Sequence, residues 1–262
     1  MSLALFLLYL RNAAFYAVAL AWCVPFVLLL PLMVLPFSMV WRVVVIYLKG
    51  VLFLLRWICG MRYAVRGAGP LPAGPLLFAS AHQSSWESMF FHVILDNPAI
   101  IAKSKAFGYP VVGNFARRNR HIPTDRDGDP EKVRAAMLEA QRQVAQGRSV
   151  IIYPSGTRTG RMLDTPMQRG VAALYALLGV PCVPIALNSG LFWPNDSWLR
   201  YPGTVVVQMG EPIAPGLGKK AFLDLLASRM QCETRRLLSI RAGIALYEET
   251  AAGEPDPASG VS

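Results

Sequence analysis

The sequence predicts an α/β domain, a sheet flanked by helices, carried behind an N-terminal membrane-embedded helical segment. Residues 12–41 form thirty consecutive positions without a charged side chain, well beyond the ~18 that mark a membrane-helix candidate. From Tyr63 onward, short apolar runs alternate with helical patterns, which is how a sheet with helices packed on it reads. Composition agrees. The 262 residues are 54% hydrophobic and 16% charged, against roughly 45–50% and 25% for an ordinary soluble domain.

The front end comes first. A helix over residues 3–24 would be roughly 33 Å long, enough to cross a hydrocarbon core. Pro25, Pro31 and Pro36 then argue against one straight helix to Trp41. The next apolar segment, 37–60, carries Arg42, Lys49 and Arg56 at sevenfold spacing along one helical face. That pattern fits an interfacial helix whose cations reach lipid headgroups, the plainer alternative being a buried helix of a soluble protein. The start lacks the basic flank of a cleaved leader, so the segment is expected to stay as an anchor, either spanning the bilayer or entering one leaflet as a hairpin. Six cations precede the first carboxylate of the chain, Glu87, which places the flanking region on the cytoplasmic side of a cell membrane.

In the remainder, strands are expected at 63–66, 76–79, 99–102, 149–153, 182–187 and 205–209. Helices are expected after Ser84, from Asp129-Pro130 to Gln146, over 168–178 and over 219–247. The organisation is thus an anchor at 1–60, a domain at 61–250 and a disordered tail at 251–262, rich in Ala, Gly, Pro and Ser.

Net charge is +10, which favours anionic partners; the apolar excess selects lipid over nucleic acid. The four cysteines are scattered, so neither a disulfide framework nor a zinc site is expected, and the three histidines suggest no metal site. No cofactor is expected.

Three blocks carry the candidate chemistry. In AHQSSWES, residues 81–88, Ser84 or Ser85 is a natural helix cap, and Ser84 with Glu87 makes the S-x-x-E capping box. The rival reading pairs Glu87 with His82. On a continuous helix the two would lie roughly 140° apart, but a helix that starts after His82 lets the imidazole fold over the first turn. Glu87 could then hold one ring nitrogen and leave the other as a general base. Both readings stay open on the sequence. Two further His/acid pairs, His92/Asp96 and His121/Asp125, share i,i+4 spacing; a surface pair and a loop coincidence explain them more simply. VIIYPSGTRTG, residues 150–160, is a strand running into a turn that can offer backbone N–H groups and the Arg158 guanidinium to a phosphate. Residues 103–126 are basic and interleaved with aromatics, from Lys103 to Arg126. DRDGDPE lacks the closing bidentate Glu of a calcium loop.

Taken in order, these blocks resemble the glycerolipid acyltransferases typified by bacterial 1-acylglycerol-3-phosphate acyltransferase. His82-Gln83-Ser84-Ser85-Trp86-Glu87 matches that family's His, four residues, then acid. Lys103 to Asp125-Arg126 matches its second block. Pro154-Ser155-Gly156-Thr157-Arg158 matches its Pro-Glu-Gly-Thr-Arg, and 180–185 its final apolar strand around a Pro. The likeness covers roughly residues 76–212 and implies a glycerolipid acyltransferase-like sheet. It implies acyl transfer from acyl-CoA or acyl carrier protein to the hydroxyl of a lysophospholipid at a membrane, giving phosphatidic acid. His82 would be the base and Glu87 its partner; Lys103, Arg126 and Arg158 would hold phosphate groups, with Ser155, Gly156 and Thr157 lining the substrate. Three departures stand out. The acid is Glu where Asp is commonest, Lys105 stands where Glu is frequent, and Ser155 replaces the Glu of the third block, which leaves the acceptor open. A serine lipid hydrolase and a non-catalytic membrane-binding homologue are the alternatives, although no G-x-S-x-G elbow is present.

Overall fold

The computed structural model describes residues 2–29, 36–67, 69–125, 130–159 and 167–239. Expectations for Pro31, Arg126, residues 240–247 and the tail fall outside these residues. Seven strands form one sheet: β1 (Met61–Arg66), β2 (Leu77–Ser80), β3 (Ala99–Lys103), β4 (Ile122–Thr124), β5 (Val150–Ile152), β6 (Cys182–Leu187) and β7 (Gly203–Met209). Their order across the sheet is β1-β7-β6-β2-β5-β3-β4. The six expected strands are present; β4 was not foreseen, because Ile122-Pro123-Thr124 is short and Pro is a poor ladder donor. Strands β6, β2, β5, β3 and β4 run parallel; β7 is antiparallel to β6, and β1 follows β7. The central strands β2 and β6 are buried at every position, which is why they read as unbroken apolar runs rather than alternating ones.

Alternate side chains feed two cores. Phe78, Ile151, Val183 and Ile185 pack on one face against α2 (Phe37–Trp57) and α3 (Trp86–Ile94). Leu77, Ala79, Val150 and Cys182 pack on the other, against α5 (Pro130–Ala145), α6 (Gly170–Leu178) and α7 (Lys219–Ser239). A further helix of the domain, α4 (Pro110–Arg118), was hidden in the sequence by its high share of cations. It opens on Pro, which suits the first turn.

The first helix, α1 (Leu3–Leu28), continues past the expected end at residue 24 and carries Pro25 within it, which corrects that expectation. Proline fixes φ at a helical value and forfeits only one N–H, a loss this helix absorbs near its end. Only Leu8, Asn12 and Phe15, one narrow stripe, are buried on α1; Leu3, Leu20 and Leu28 are each more than 70% exposed. On α2, Leu48, Val51, Leu52 and Leu55 form the buried face, while Arg42, Lys49 and Arg56 share the exposed side with Ile46, Phe53 and Trp57. Both helices are long and apolar enough to cross a membrane, and an exposed apolar face of this extent needs a covering partner.

The two helices pack where Trp22 lies on Gly50. A side chain at position 50 would collide with the indole, and the indole N–H donates to the Tyr47 carbonyl at 3.2 Å. Asn12, a polar residue inside the apolar run, ties α1 to the domain. Its amide donates to the Leu8 and Arg200 carbonyls at 2.9 and 3.1 Å, and its oxygen accepts the Arg200 N–H at 2.6 Å. The Arg200 guanidinium lies over the Trp193 ring at 4.0 Å.

Candidate active site

The carboxyl ends of β2, β5, β6 and β3 fall on one edge of the sheet, the edge where open α/β sheets bind ligands. The loop after β2 carries His82; the loops after β5 and β6 flank it on either side, since β2 lies between those strands. Helix α3 begins only at Trp86, so the chain between β2 and α3 can fold His82 over the first turn. His82 Nδ1 and Glu87 Oε1 are 2.9 Å apart.

Glu87 also ties down the backbone ahead of the helix. Its Oε1 accepts the backbone N–H groups of Gln83 and Ser84 at 2.7 and 2.8 Å, while Ser84 Oγ accepts the Trp86 N–H at 3.0 Å. One carboxylate therefore makes both the contact with His82 and the Glu87 half of the capping box; the other half is not formed, since the Ser84 hydroxyl takes the Trp86 N–H and Ser85 is the residue that caps α3. Oε2 takes hydroxyl bonds from Ser84 at 3.0 Å and Ser189 at 2.7 Å. Glu87 is fully buried, and a buried carboxylate keeps its charge only where donors of this kind replace water.

The imidazole is held from its face as well. The Tyr153 ring stacks on it at 4.0 Å with 19° between planes, and the phenol reaches Ser88 Oγ at 3.3 Å. Burial, then the negative charge of Glu87, raise the Tyr153 phenol far above its usual range, so it stays neutral. The His82 carbonyl accepts the Thr159 N–H at 2.7 Å and the Gln83 carbonyl accepts Asn195 Nδ2 at 2.8 Å. His82 Nε2 has no hydrogen-bond partner among the described residues, and the side chain is 17% exposed.

The Pro154–Ser155–Gly156–Thr157–Arg158 turn follows β5 directly. Gly156 has φ 64°, a left-handed value that favours glycine, and its N–H bonds the Tyr153 carbonyl at 2.9 Å. Ser155 Oγ donates to the Thr157 carbonyl at 2.7 Å. Arg158 Nη1 donates to Ser85 Oγ at 2.8 Å, which joins the turn to the His82 loop. Lys103 ends β3, two strand spacings or about 10 Å from β2, and is exposed. Its register partner is Thr124, and the Ser104 N–H reaches Asp125 Oδ1 at 3.2 Å. Arg126 lies outside the described residues. Among the described residues no group of His, Cys, Asp and Glu is arranged to hold a metal ion.

The two rival His/acid pairs are not formed. His92 and His121 instead meet each other, Nε2 to Nε2 at 3.0 Å, beneath α2 and α4. His92 Nδ1–H donates to the Ser88 carbonyl at 2.6 Å, and His121 Nδ1 accepts the Ile100 N–H at 3.1 Å. Both rings are thus neutral, with the His121 proton between them. Burial lowers His92 to about 4 and His121 well below the ordinary histidine value.

Sequence reasoning missed Tyr153, Thr159, Ser189 and Asn195. Each acts across a strand boundary, so only the pairing of β2 with β5 and β6 would have pointed to them.

The family model described as Acyltransferase matches residues 62–188. A 1-acyl-sn-glycerol-3-phosphate acyltransferase of Pseudomonas aeruginosa is 31% identical over 194 residues, 73% of this chain and 76% of that protein. A lyso-ornithine lipid O-acyltransferase of the same organism is 26% identical over 179 residues, 62% of this chain and 68% of the other. The crystal structure of the 1-acyl-sn-glycerophosphate (LPA) acyltransferase from Thermotoga maritima superposes with a TM-score of 0.70 at 19% identity, covering 88% of this chain and 95% of that one; it bears on the fold alone. Fold and matches together define a glycerolipid O-acyltransferase. The chain belongs to the 1-acylglycerol-3-phosphate acyltransferase family.

Proposed function

We propose that this enzyme moves a fatty acyl group from a thioester, acyl-CoA or acyl carrier protein, to the free hydroxyl of 1-acylglycerol-3-phosphate, giving phosphatidic acid. The observation that carries this reading is the 2.9 Å contact of His82 with a buried, fully hydrogen-bonded Glu87, which leaves Nε2 without a partner among the described residues on a side chain that is partly exposed. Nε2 takes the acceptor's hydroxyl proton as the oxygen attacks the thioester carbonyl. The tetrahedral intermediate collapses with loss of the thiolate, which recovers that proton from the imidazolium. Glu87 fixes the tautomer and balances the imidazolium charge. A positioned base of this kind contributes roughly 10²–10⁴-fold.

The Ser155–Thr157 turn beside His82 suits the developing oxyanion, although the Gly156 N–H is already used within the turn. Arg158, Lys103 and Arg126 suit the phosphate groups. The serine-hydrolase alternative loses support, because Ser155 and Ser84 direct their hydroxyls to Thr157 and Glu87 rather than to His82. The reaction takes place at a cell membrane, which the exposed apolar sides of α1 and α2 support; the excess of cations ahead of Glu87 is the ground for placing the domain on the cytoplasmic face.

Ser155 favours a second acceptor. The third block here offers no carboxylate, and one relative is a lyso-ornithine lipid O-acyltransferase. Purified full-length protein supplied with acyl-CoA or acyl carrier protein, and with lysophosphatidate or lyso-ornithine lipid, separates the two. Phosphatidate is expected, with His82→Ala reducing the rate by roughly 10²–10⁴-fold. Wild-type product no greater than that of His82→Ala sinks the proposal, and product only from the lyso-ornithine lipid reassigns the acceptor.

A further inference from the structure

The two oxygens of Glu87 are held by different parts of the chain. Oε1 meets His82 and the backbone of its own loop. Oε2 meets Ser84 and, from the turn after β6, Ser189. The Ser189 bond is 2.7 Å against 3.0 Å for Ser84, whose oxygen also accepts the Trp86 N–H and lies 3.2 Å from Ser189 Oγ. Ser189 is itself fixed. It is fully buried, its carbonyl accepts the N–H groups of Phe192 and Trp193 at 3.0 and 2.8 Å, and the next residue, Gly190, donates to Gln83 Oε1 at 3.0 Å.

We infer that Ser189 is a positioning residue for acyl transfer, acting through Glu87 on His82. The inference rests on His82 as the base. The last torsion of a glutamate side chain is broad, and the loop grips only Oε1 by its backbone. A donor on Oε2 from a different strand stops the carboxylate from turning, which keeps Oε1 on Nδ1 and the imidazole aimed at the acceptor. Ser84 cannot do this alone, since it moves with the same loop as His82. The length of the Glu arm is part of the device. An aspartate at this position is one methylene shorter and does not span from the His82 loop to the turn after β6.

The test is a double-mutant cycle on the full chain, with acyl-CoA and lysophosphatidate as probes and His82→Ala as the blank. Ser189→Ala is expected to lower kcat about tenfold, as for loss of a charge-assisted hydrogen bond, with KM for both substrates within about twofold of wild type. In a Glu87→Asp background the same substitution is expected to cost less than about twofold, because the shorter arm no longer reaches Ser189. A Ser189→Ala kcat within about twofold of wild type, or an equal loss in both backgrounds, overturns the inference. Should Ser189→Ala fail to fold, as judged by its thermal midpoint, Ser189→Cys keeps the shape with a weak donor and is read by the same criteria. A wild type no better than the blank overturns the acyl-transfer reading itself, and that outcome is distinct from failure of Ser189 alone.

Discussion

Glu87 does two jobs with one carboxylate: it ties down the Gln83–Ser84 backbone ahead of α3 and it holds the His82 ring. A residue used twice in this way tolerates few replacements. The Tyr153 stack divides more cleanly. Ring-on-ring contact is worth about 0.5–1.5 kcal/mol, whereas the phenol bond to Ser88 is long at 3.3 Å. Steady-state rates of two variants check the division. Tyr153→Phe keeps the stack and is expected to stay within about twofold of wild type, while Tyr153→Leu loses it and is expected to fall about two- to tenfold in kcat. A Phe variant as impaired as the Leu variant would move the role from the ring to the hydroxyl.

Element by element, the parts with a strong apolar period were legible: six strands, both front helices and α5 to α7 follow from run length, proline and glycine punctuation. Helix α4 and strand β4 were not, because Arg117, Arg118 and Pro123 mask short segments whose existence depends on partners distant in sequence. In the site, His82, Glu87 and the 154–158 turn were visible as motifs. Ser189, Tyr153 and the neutral His92–His121 pair appear only once strand order is known. The docking of α1 was equally invisible, since Asn12 looks like a stray polar residue until Arg200 is placed against it. Asn12→Ala strips the Arg200 backbone of both partners. It is expected to cost about 1–3 kcal/mol, measurable as a lower thermal midpoint in detergent; an unchanged midpoint would show that apolar packing alone holds the helix.

For the whole molecule, His92 and His121 set an acid limit. Their folded-state values lie below the ordinary 6.5, so native protein keeps them neutral while unfolded chains take up protons below about 6.5. Their contribution to stability is therefore full above that pH and is lost as pH falls toward about 4 for His92. For His92 alone the loss amounts to about 3 kcal/mol at completion. Denaturant midpoints are expected to stay level from pH 7.5 to about 6.5 and to fall from there to about 4.5, and a His92→Gln variant is expected to flatten part of that slope; an unchanged slope argues against the buried neutral pair.

The segment between β6 and β7 contains both Ser189 and Arg200, so the stretch that steadies the Glu87 carboxylate is also the stretch to which α1 is bolted. If α1 lies in lipid as proposed, this segment is one of two struts, the other being the packing of α1 on α2 at Trp22 and Gly50, that hold the catalytic edge at a fixed height above the headgroups. A push on the helix from the bilayer would be felt at the carboxylate through a stretch of only twelve residues, Ser189 to Arg200.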